Sequence, residues 1–125
     1  MGVSFIYPFN RQTKELEYYQ LTTYDNLPKR GVKRIDLQYK NNRNQQSTER
    51  IFLVNQDKAV FALTGVCTHL GCLVNFNYHK NQFICPCHGG TYDISGKVIS
   101  GPPNKPLKRL PIELRDGNVY VGLIV

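Results

Sequence analysis

The segments Cys67-Thr68-His69-Leu70-Gly71-Cys72 and Cys85-Pro86-Cys87-His88-Gly89-Gly90 decide how this sequence folds. They contain all four cysteines and two of the three histidines of the chain. Each segment lies at the end of an apolar, strand-like run and contains glycine, which marks a loop. We therefore expect two neighbouring loops that gather six sulfur and imidazole groups around one point.

Short β-strands are predicted on both sides of these segments, because apolar residues there alternate with polar ones or form short runs. The strand-like stretches are residues 35–39, 50–54, 59–63, 73–76, 82–84, 112–114 and 119–121. The short break between residues 54 and 59 predicts a hairpin, and Asp116-Gly117 predicts another. Residues 41–48 read as a polar loop. The only hint of a helix is at residues 13–19.

The chain as a whole is predicted to be one all-β domain, an antiparallel sandwich or small barrel. Its 125 residues suit a single domain, and ten glycines with seven prolines leave little room for long helices. No stretch approaches the roughly 20 apolar residues of a membrane-spanning helix. The net charge is +7, but the basic residues are too dispersed for a nucleic-acid site. They indicate solvated faces or a docking surface for an acidic partner.

Six cysteine and histidine side chains at one point admit several kinds of site. A structural zinc ion uses the same ligand types, although Cys-x-His fits the usual zinc spacing poorly and two cysteines would remain without a role. A cysteine nucleophile needs one thiolate beside one histidine and does not account for the duplicated pattern. Two ordinary disulfides ignore the histidines. An iron–sulfur cluster with two cysteine and two histidine ligands, plus one bridge between the loops, uses all six groups.

The two segments resemble the paired signature of Rieske iron–sulfur proteins. The form with two additional cysteines is typical of the subunit in cytochrome bc-type quinol-oxidising complexes. The resemblance is strongest from Val54 to Val121 and includes Gly101-Pro102-Pro103, which is similar to the proline loop of the family. It implies a Rieske-type antiparallel sandwich or small barrel over residues 1–125. Within it, a cluster-binding subdomain would span about residues 64–107, and residues 1–63 and 108–125 would form the base fold.

The resemblance also implies roles for the cysteines and histidines of the two loops. Cys67 and Cys85 would bind the buried iron of a [2Fe-2S] cluster, and His69 and His88 the outer iron. Cys72 and Cys87 would form a disulfide between the loops. The two neutral imidazoles would raise the potential into a window of roughly −150 to +300 mV, against about −400 mV for plant-type ferredoxins.

Further residues would tune or cover this cluster. Tyr92 stands where the family places a hydroxyl donor to a cysteine sulfur, and Leu70 would shield the cluster. The segment Gly101-Pro102-Pro103 would form a rigid cover. Gly90 departs from the high-potential members, which have serine there. We therefore expect a missing hydrogen bond and a lower potential, matched to menaquinol.

The function implied is transfer of one electron, coupled to a proton, from quinol to a c-type cytochrome. His88 would contact the quinol held by a companion cytochrome b subunit, so the chain alone would not be a complete enzyme. An alternative is the small Rieske subunit of a periplasmic oxidase such as arsenite oxidase. A ferredoxin of a ring-hydroxylating oxygenase is a further alternative, but those ferredoxins usually lack the additional cysteine pair.

A disulfide also indicates an extracytoplasmic location, on the periplasmic or outer face of an energy-transducing membrane. The resemblance implies that the membrane connection runs through an N-terminal anchor outside these residues. The residues themselves are then expected to behave as a soluble fragment.

Overall fold

The computed structural model describes residues 16–40, 43–57, 59–68 and 71–124. These residues form eleven strands and one short 3-10 helix, Tyr24–Asn26, so the all-β prediction is confirmed. The strands are β1 Leu16–Thr23, β2 Gly31–Lys40, β3 Gln46–Gln56, β4 Ala59–Thr64, β5 Asn75–Asn77, β6 Gln82–Ile84, β7 Thr91–Tyr92, β8 Val98–Ser100, β9 Arg109–Leu110, β10 Ile112–Arg115 and β11 Asn118–Ile124. Within the described ranges, no helix has the length and apolar character needed to cross a bilayer.

The strands form three antiparallel sheets. The first sheet has the order β1-β11-β10, the second β2-β3-β4-β9 and the third β5-β6-β7-β8. The third sheet is built from residues 75–100, which lie inside the predicted cluster-binding subdomain of residues 64–107. That boundary itself stays a prediction.

Strand β3 contributes to two hydrophobic cores, because the second sheet lies between the other two. Ile51 and Leu53 pack with Val121 and Leu123 of β11. The alternate residues, Phe52 and Val54, pack with residues of the third sheet and the loops next to it. Side chains of a strand point alternately to its two faces. A strand that is covered on both faces therefore reads as a continuous apolar run.

Turn chemistry fixes the predicted hairpins. Asp116 and Gly117, with φ of 50° and 79°, connect β10 to β11, as the mirror-image turns of hairpins require. Asp57, with φ of 52°, lies in the turn between β3 and β4.

Three local predictions were wrong in part. The helical hint at residues 13–19 fails for residues 16–19, which pair with β11, and residues 13–15 lie outside the described residues. The polar loop predicted at residues 41–48 fails for residues 46–48, which belong to β3 and pair with β2, and residues 41 and 42 lie outside the described residues. Of the predicted strand at residues 73–76, only residues 75–76 belong to β5, and Leu73 makes an isolated bridge with Val66. In the first two cases pairing with a neighbouring strand decided the structure, and in the third Leu73 and Val74 pair with Val66 and Gly65 instead of extending β5. Local propensity does not report such pairing.

Candidate metal centre

The two cysteine–histidine segments lie at ends of neighbouring strands. Loop 1, residues 65–74, connects the end of β4 to β5, and loop 2, residues 85–90, connects β6 to β7. The strands β5 and β6 are paired, with Asn75 opposite Ile84. The last residue of loop 1 is therefore close to the first residue of loop 2.

Both loops are closed by the same pair of backbone hydrogen bonds. In loop 1, Cys67 N–H donates to Cys72 O at 2.6 Å, and Gly71 N–H donates to Cys67 O at 3.1 Å. In loop 2, Cys85 N–H donates to Gly90 O at 2.8 Å, and Gly89 N–H donates to Cys85 O at 2.9 Å. The two glycines have φ of 76° and 75°, a conformation that L-residues rarely adopt. The duplicated pattern in the sequence thus corresponds to the same closing hydrogen bonds and the same glycine conformation in both loops.

A disulfide joins the two loops. Cys72 and Cys87 are bonded, with their Cα atoms 6.5 Å apart. The Sγ atoms of Cys72, Cys85 and Cys87 all lie within 4.8 Å of one another. Because two of these sulfurs are in the disulfide, only Cys85 of the three can offer a thiolate to a metal.

Cys67 and Cys85, which lie outside the disulfide, are 4% and 3% exposed. Burial raises the pKa of the Cys85 thiol, and the neighbouring Cys67 thiol raises it further. Backbone N–H groups of Cys87 and His88 donate hydrogen bonds to the same sulfur and partly offset this effect. Two adjacent buried sulfurs with N–H donors aimed at one of them are an environment that a bound cation would stabilise as thiolates.

Tyr92 lies against Cys67 and Thr68. Its Oη is 3.4 Å from Cys67 Sγ, 3.2 Å from Thr68 N and 3.0 Å from Thr68 Oγ1. Thr68 N–H donates to Tyr92, while the Thr68 hydroxyl donates to Lys105 O at 2.8 Å. The Tyr92 proton is therefore available to Cys67 Sγ or to Thr68 Oγ1. Burial and the hydrogen bond to Cys67 raise the pKa of Tyr92, so the phenol stays protonated and can donate.

The proline loop, residues 101–106, packs directly on loop 2 through two glycines. A Cβ atom at Gly101, where φ is 99°, would lie 2.5 Å from Gly90 Cα. A Cβ atom at Gly90 would lie 2.7 Å from Pro103 Cδ. The backbones approach so closely that neither position has room for a side chain. The space that a residue 90 side chain would fill is taken by the ring of Pro103, which is buried.

The remaining predicted site residues differ in their surroundings. His88 is exposed at the end of loop 2, and Pro102 is exposed on the proline loop. His69 and Leu70 lie outside the described residues. Sequence reasoning missed Thr68, whose hydroxyl connects loop 1 to the proline loop. Its only signal was its position between two predicted ligands.

The donors that the structure brings together suit a thiophilic metal or an iron–sulfur cluster. Cys67 and Cys85 supply two adjacent buried sulfurs. His88 lies three residues after Cys85 and is exposed, but the structure does not place its imidazole in the group of ligand atoms around Cys85. Zinc and iron both accept this ligand set. The chemistry of the donors alone therefore leaves those two metals open.

Comparison with known families favours an iron–sulfur cluster over zinc. The sequence model described as "Rieske [2Fe-2S] domain" matches residues 19–111. That range contains both loops, the whole third sheet and the proline loop.

Individual relatives agree with this match. The chain is 40% identical over 78 residues to the cytochrome b6-f complex iron-sulfur subunit of Chlorobaculum thiosulfatiphilum, which covers 62% of this chain and 43% of the relative. The chain spans less than half the length of the curated relatives it matches.

Solved structures are similar over a larger share of the chain. A cyanobacterial plasma membrane Rieske protein from Synechocystis PCC 6803 has a TM-score of 0.59 and 25% identity, covering 82% of this chain and 97% of that chain. A chain of a hyperthermophilic respiratory complex III has a TM-score of 0.57 and 32% identity, covering 80% and 72%.

Proposed function

Because this chain belongs to the family of Rieske [2Fe-2S] domains, we propose that it binds one [2Fe-2S] cluster and transfers electrons within a cytochrome bc-type complex. The proposed ligands are Cys67, His69, Cys85 and His88. The observation that supports them is the arrangement of the two loops. Both are closed by the same pair of backbone hydrogen bonds, a disulfide joins them, and the two sulfurs outside the disulfide are buried and in contact with each other.

The protein groups around the proposed ligands have separate tasks. When bound, a [2Fe-2S] cluster takes up and releases one electron at a time. Cys67 and Cys85 would hold it on the buried side, where the N–H groups of Cys87 and His88 donate to the Cys85 sulfur and the Tyr92 hydroxyl lies within hydrogen-bond distance of the Cys67 sulfur. Hydrogen bonds to the sulfurs favour the more negative, reduced state and raise the potential. The proline loop would cover the site, since it is anchored to loop 1 through Thr68 and to loop 2 through Gly90.

His88 is the proposed contact to quinol. His88 is exposed, whereas Cys67 and Cys85 are buried. One ring nitrogen would bind iron, and the other would face outward, where it can accept a hydrogen bond and hold the proton that leaves the quinol. The chain would thus take up an electron and a proton at one exposed point.

The glycine at position 90 supports the proposal that the electron donor is a quinol of low potential. The residue has no hydroxyl, and the ring of Pro103 occupies the volume in which a hydroxyl-bearing side chain would lie. One hydrogen bond to the cluster is therefore absent at this position. We expect a potential in the lower part of the Rieske window of roughly −150 to +300 mV, matched to menaquinol.

The proposed partners are a cytochrome b subunit that holds the quinol and a c-type cytochrome that accepts the electron. The similarity to a cytochrome b6-f complex iron-sulfur subunit supports this assembly. The disulfide between Cys72 and Cys87 supports a location on the extracytoplasmic face of the membrane.

Metal content and electron paramagnetic resonance test the ligand set. The purified chain is expected to contain iron and labile sulfide in equal amounts and to give a signal after reduction by dithionite. His88→Ala is expected to lose the signal. His79→Ala is the matched control, because His79 is also exposed but lies on the turn between β5 and β6. A wild-type chain that is colourless and binds zinc instead of iron would refute the proposal.

A redox titration at several pH values tests the proton coupling. The midpoint potential is expected to fall as the pH rises above neutrality, because reduction then includes uptake of a proton. A midpoint potential that stays constant from about pH 6 to pH 10 would show that His88 does not hold the proton.

A further inference from the structure

Arg50 of β3 lies at the point where loop 1 leaves the second sheet. Its backbone carbonyl accepts a hydrogen bond from Gly65 N–H at 2.8 Å, and Gly65 is the first residue after β4. Its side chain is only 16% exposed. A guanidinium that is so largely removed from water needs polar partners within the protein.

The guanidinium of Arg50 binds the opposite end of loop 1. Its Nη1 donates to Val74 O at 3.0 Å and to Asn75 Oδ1 at 3.1 Å. Val74 N–H in turn donates to Gly65 O at 2.8 Å. One residue therefore holds both ends of the loop, the first through its backbone and the second through its side chain.

Gly65 makes this arrangement possible. A Cβ atom at residue 65 would lie 2.7 Å from Arg50 Cγ and 2.9 Å from Arg50 Cδ. The side chain of Arg50 can cross the base of loop 1 only because residue 65 has no side chain.

The same guanidinium also reaches the strand pair that carries loop 2. Asn75, which accepts from Arg50, is paired with Ile84 of β6. Ile84 is the residue immediately before Cys85. Arg50 therefore connects the second sheet to the starting points of both loops.

Asp36 balances the charge of Arg50 without setting its orientation. Asp36 lies opposite Arg50 in the β2–β3 ladder, and its carboxylate is 3.6 Å from Arg50 Nε and 2.9 Å from Arg34 Nη2. The longer of these distances exceeds that of a hydrogen bond, and Nε has no hydrogen-bond partner among the described residues. The short bonds of Arg50 are those to Val74 and Asn75, so these bonds orient the side chain.

From these contacts we infer that Arg50 is a positioning residue that sets the spacing between loops 1 and 2, and with it the spacing between Cys67 and Cys85. The redox consequence rests on the proposed function. The potential of a cluster depends on the hydrogen bonds that reach its sulfurs. Loops held less tightly would therefore give a broader range of sulfur environments and a shifted potential.

Two variants and one control test this inference in the 125-residue chain. Arg50→Met keeps an unbranched stem but has no donor, and Arg50→Lys keeps the charge without the planar fork. The control is Arg34→Met. Arg34 also binds the carboxylate of Asp36, but the two residues lie on the same strand, β2, and the hydrogen bonds of the Arg34 side chain go to Asp36 and not to loop 1. Hydrogen exchange followed by mass spectrometry compares residues 65–74 with residues 51–56 of β3.

In Arg50→Met, exchange in residues 65–74 is expected to increase about tenfold or more relative to β3, because bonds from a charged donor are lost. Arg50→Lys should show a smaller but still selective increase, and Arg34→Met none. In the reduced, cluster-loaded chain, Arg50→Met should broaden the paramagnetic resonance lines and shift the midpoint potential. Arg50→Lys should partly restore both.

Different outcomes distinguish this inference from the proposed function. A uniform increase in exchange across all segments would show that Arg50 only stabilises the fold, and the inference would fail. Selective exchange with unchanged resonance lines and potential would overturn the positioning role. If the wild-type chain binds no cluster, the proposed function fails, while the exchange experiment still decides whether Arg50 holds the loops. If Arg50→Met does not fold, Arg50→Lys decides by the same comparison.

Discussion

Gly101→Ala tests whether the proline loop depends on direct backbone contact with loop 2. The new methyl group would lie 2.5 Å from Gly90 Cα and 3.2 Å from Gly90 N. Both atoms are backbone, so they cannot turn aside as a flexible side chain can. One of the two loops must therefore move.

The expected cost has two parts. Alanine at a φ of 99° costs about 1–2 kcal/mol in backbone strain. Overpacking against a rigid neighbour adds about 1–3 kcal/mol, so the free energy of unfolding should fall by about 2–5 kcal/mol. Gly31→Ala isolates the first part, because Gly31 has a φ of 96° and, apart from its chain neighbours, no described residue within 4 Å of its Cβ position. It should cost only about 1–2 kcal/mol.

Urea denaturation of both variants measures the difference, and the absorbance of the bound cluster reports on the site. Gly101→Ala should be the less stable variant and should lose its cluster sooner during unfolding. Equal destabilisation by the two substitutions would show that the close approach of Gly101 to Gly90 does not contribute to the free energy of unfolding. The proline loop would then be a separate surface loop and not a cover for the site.

Three further predictions concern the same region. Gly90→Ser should raise the midpoint potential clearly only when Pro103→Ala makes room for it, because the new Cβ would lie 2.7 Å from Pro103 Cδ; a redox titration checks this, and a fall in the double variant would contradict it. Replacing Cys72 and Cys87 with alanine should lower the free energy of unfolding by about 3 kcal/mol, since the disulfide spans 15 residues; an unchanged urea midpoint would refute this. Burial alone would raise the pKa of Asp93, but hydrogen bonds within the β7–β8 turn hold it below its usual range. The ionised Asp93 side chain therefore stabilises the fold above the unfolded pKa of about 3.9, and this stabilisation is lost as the pH falls through the folded pKa. Asp93→Asn should lower the free energy of unfolding by about 1 kcal/mol at neutral pH and by much less near pH 2.5. Urea denaturation at the two pH values checks this.

The sequence was informative about strands where pattern and turn chemistry agree. Asp116-Gly117 between two apolar stretches predicted a hairpin that the structure contains. The continuous run at residues 51–54 was identified as a strand, but its two-sided burial depends on the first and third sheets, which no local pattern reveals. The strands β1, β7, β8 and β9 were missed because they are short or carry polar residues, and pairing alone makes them strands.

The cysteine and histidine residues of the candidate site could be predicted from the sequence, but the residues that hold its loops in place could not. Cysteine and histidine at fixed spacing are typical of a metal centre. The resemblance to a family implied the Cys72–Cys87 disulfide, which the structure contains. Arg50 appeared only as the first residue of an apolar run. Its role depends on Val74 and Asn75, which are distant in sequence and become its neighbours only through folding.

The two loops show which part of such a site is specified locally. The unit that repeats in the sequence is a cysteine followed four residues later by a glycine, while the histidines stand two residues after Cys67 and three after Cys85. Among the described residues other than the chain neighbours, no heavy atom lies within 4 Å of the Cβ position of Gly71 or of Gly89, whereas both have a positive φ that favours glycine. Each loop can therefore form from its own residues. The relative placement of the loops instead depends on contacts between distant segments, namely the pairing of β5 with β6, the disulfide and the hydrogen bonds of Arg50. Substitutions at the loop glycines should therefore alter one loop only. Substitutions at the residues that connect the two loops should alter the distance between the sulfurs of Cys67 and Cys85.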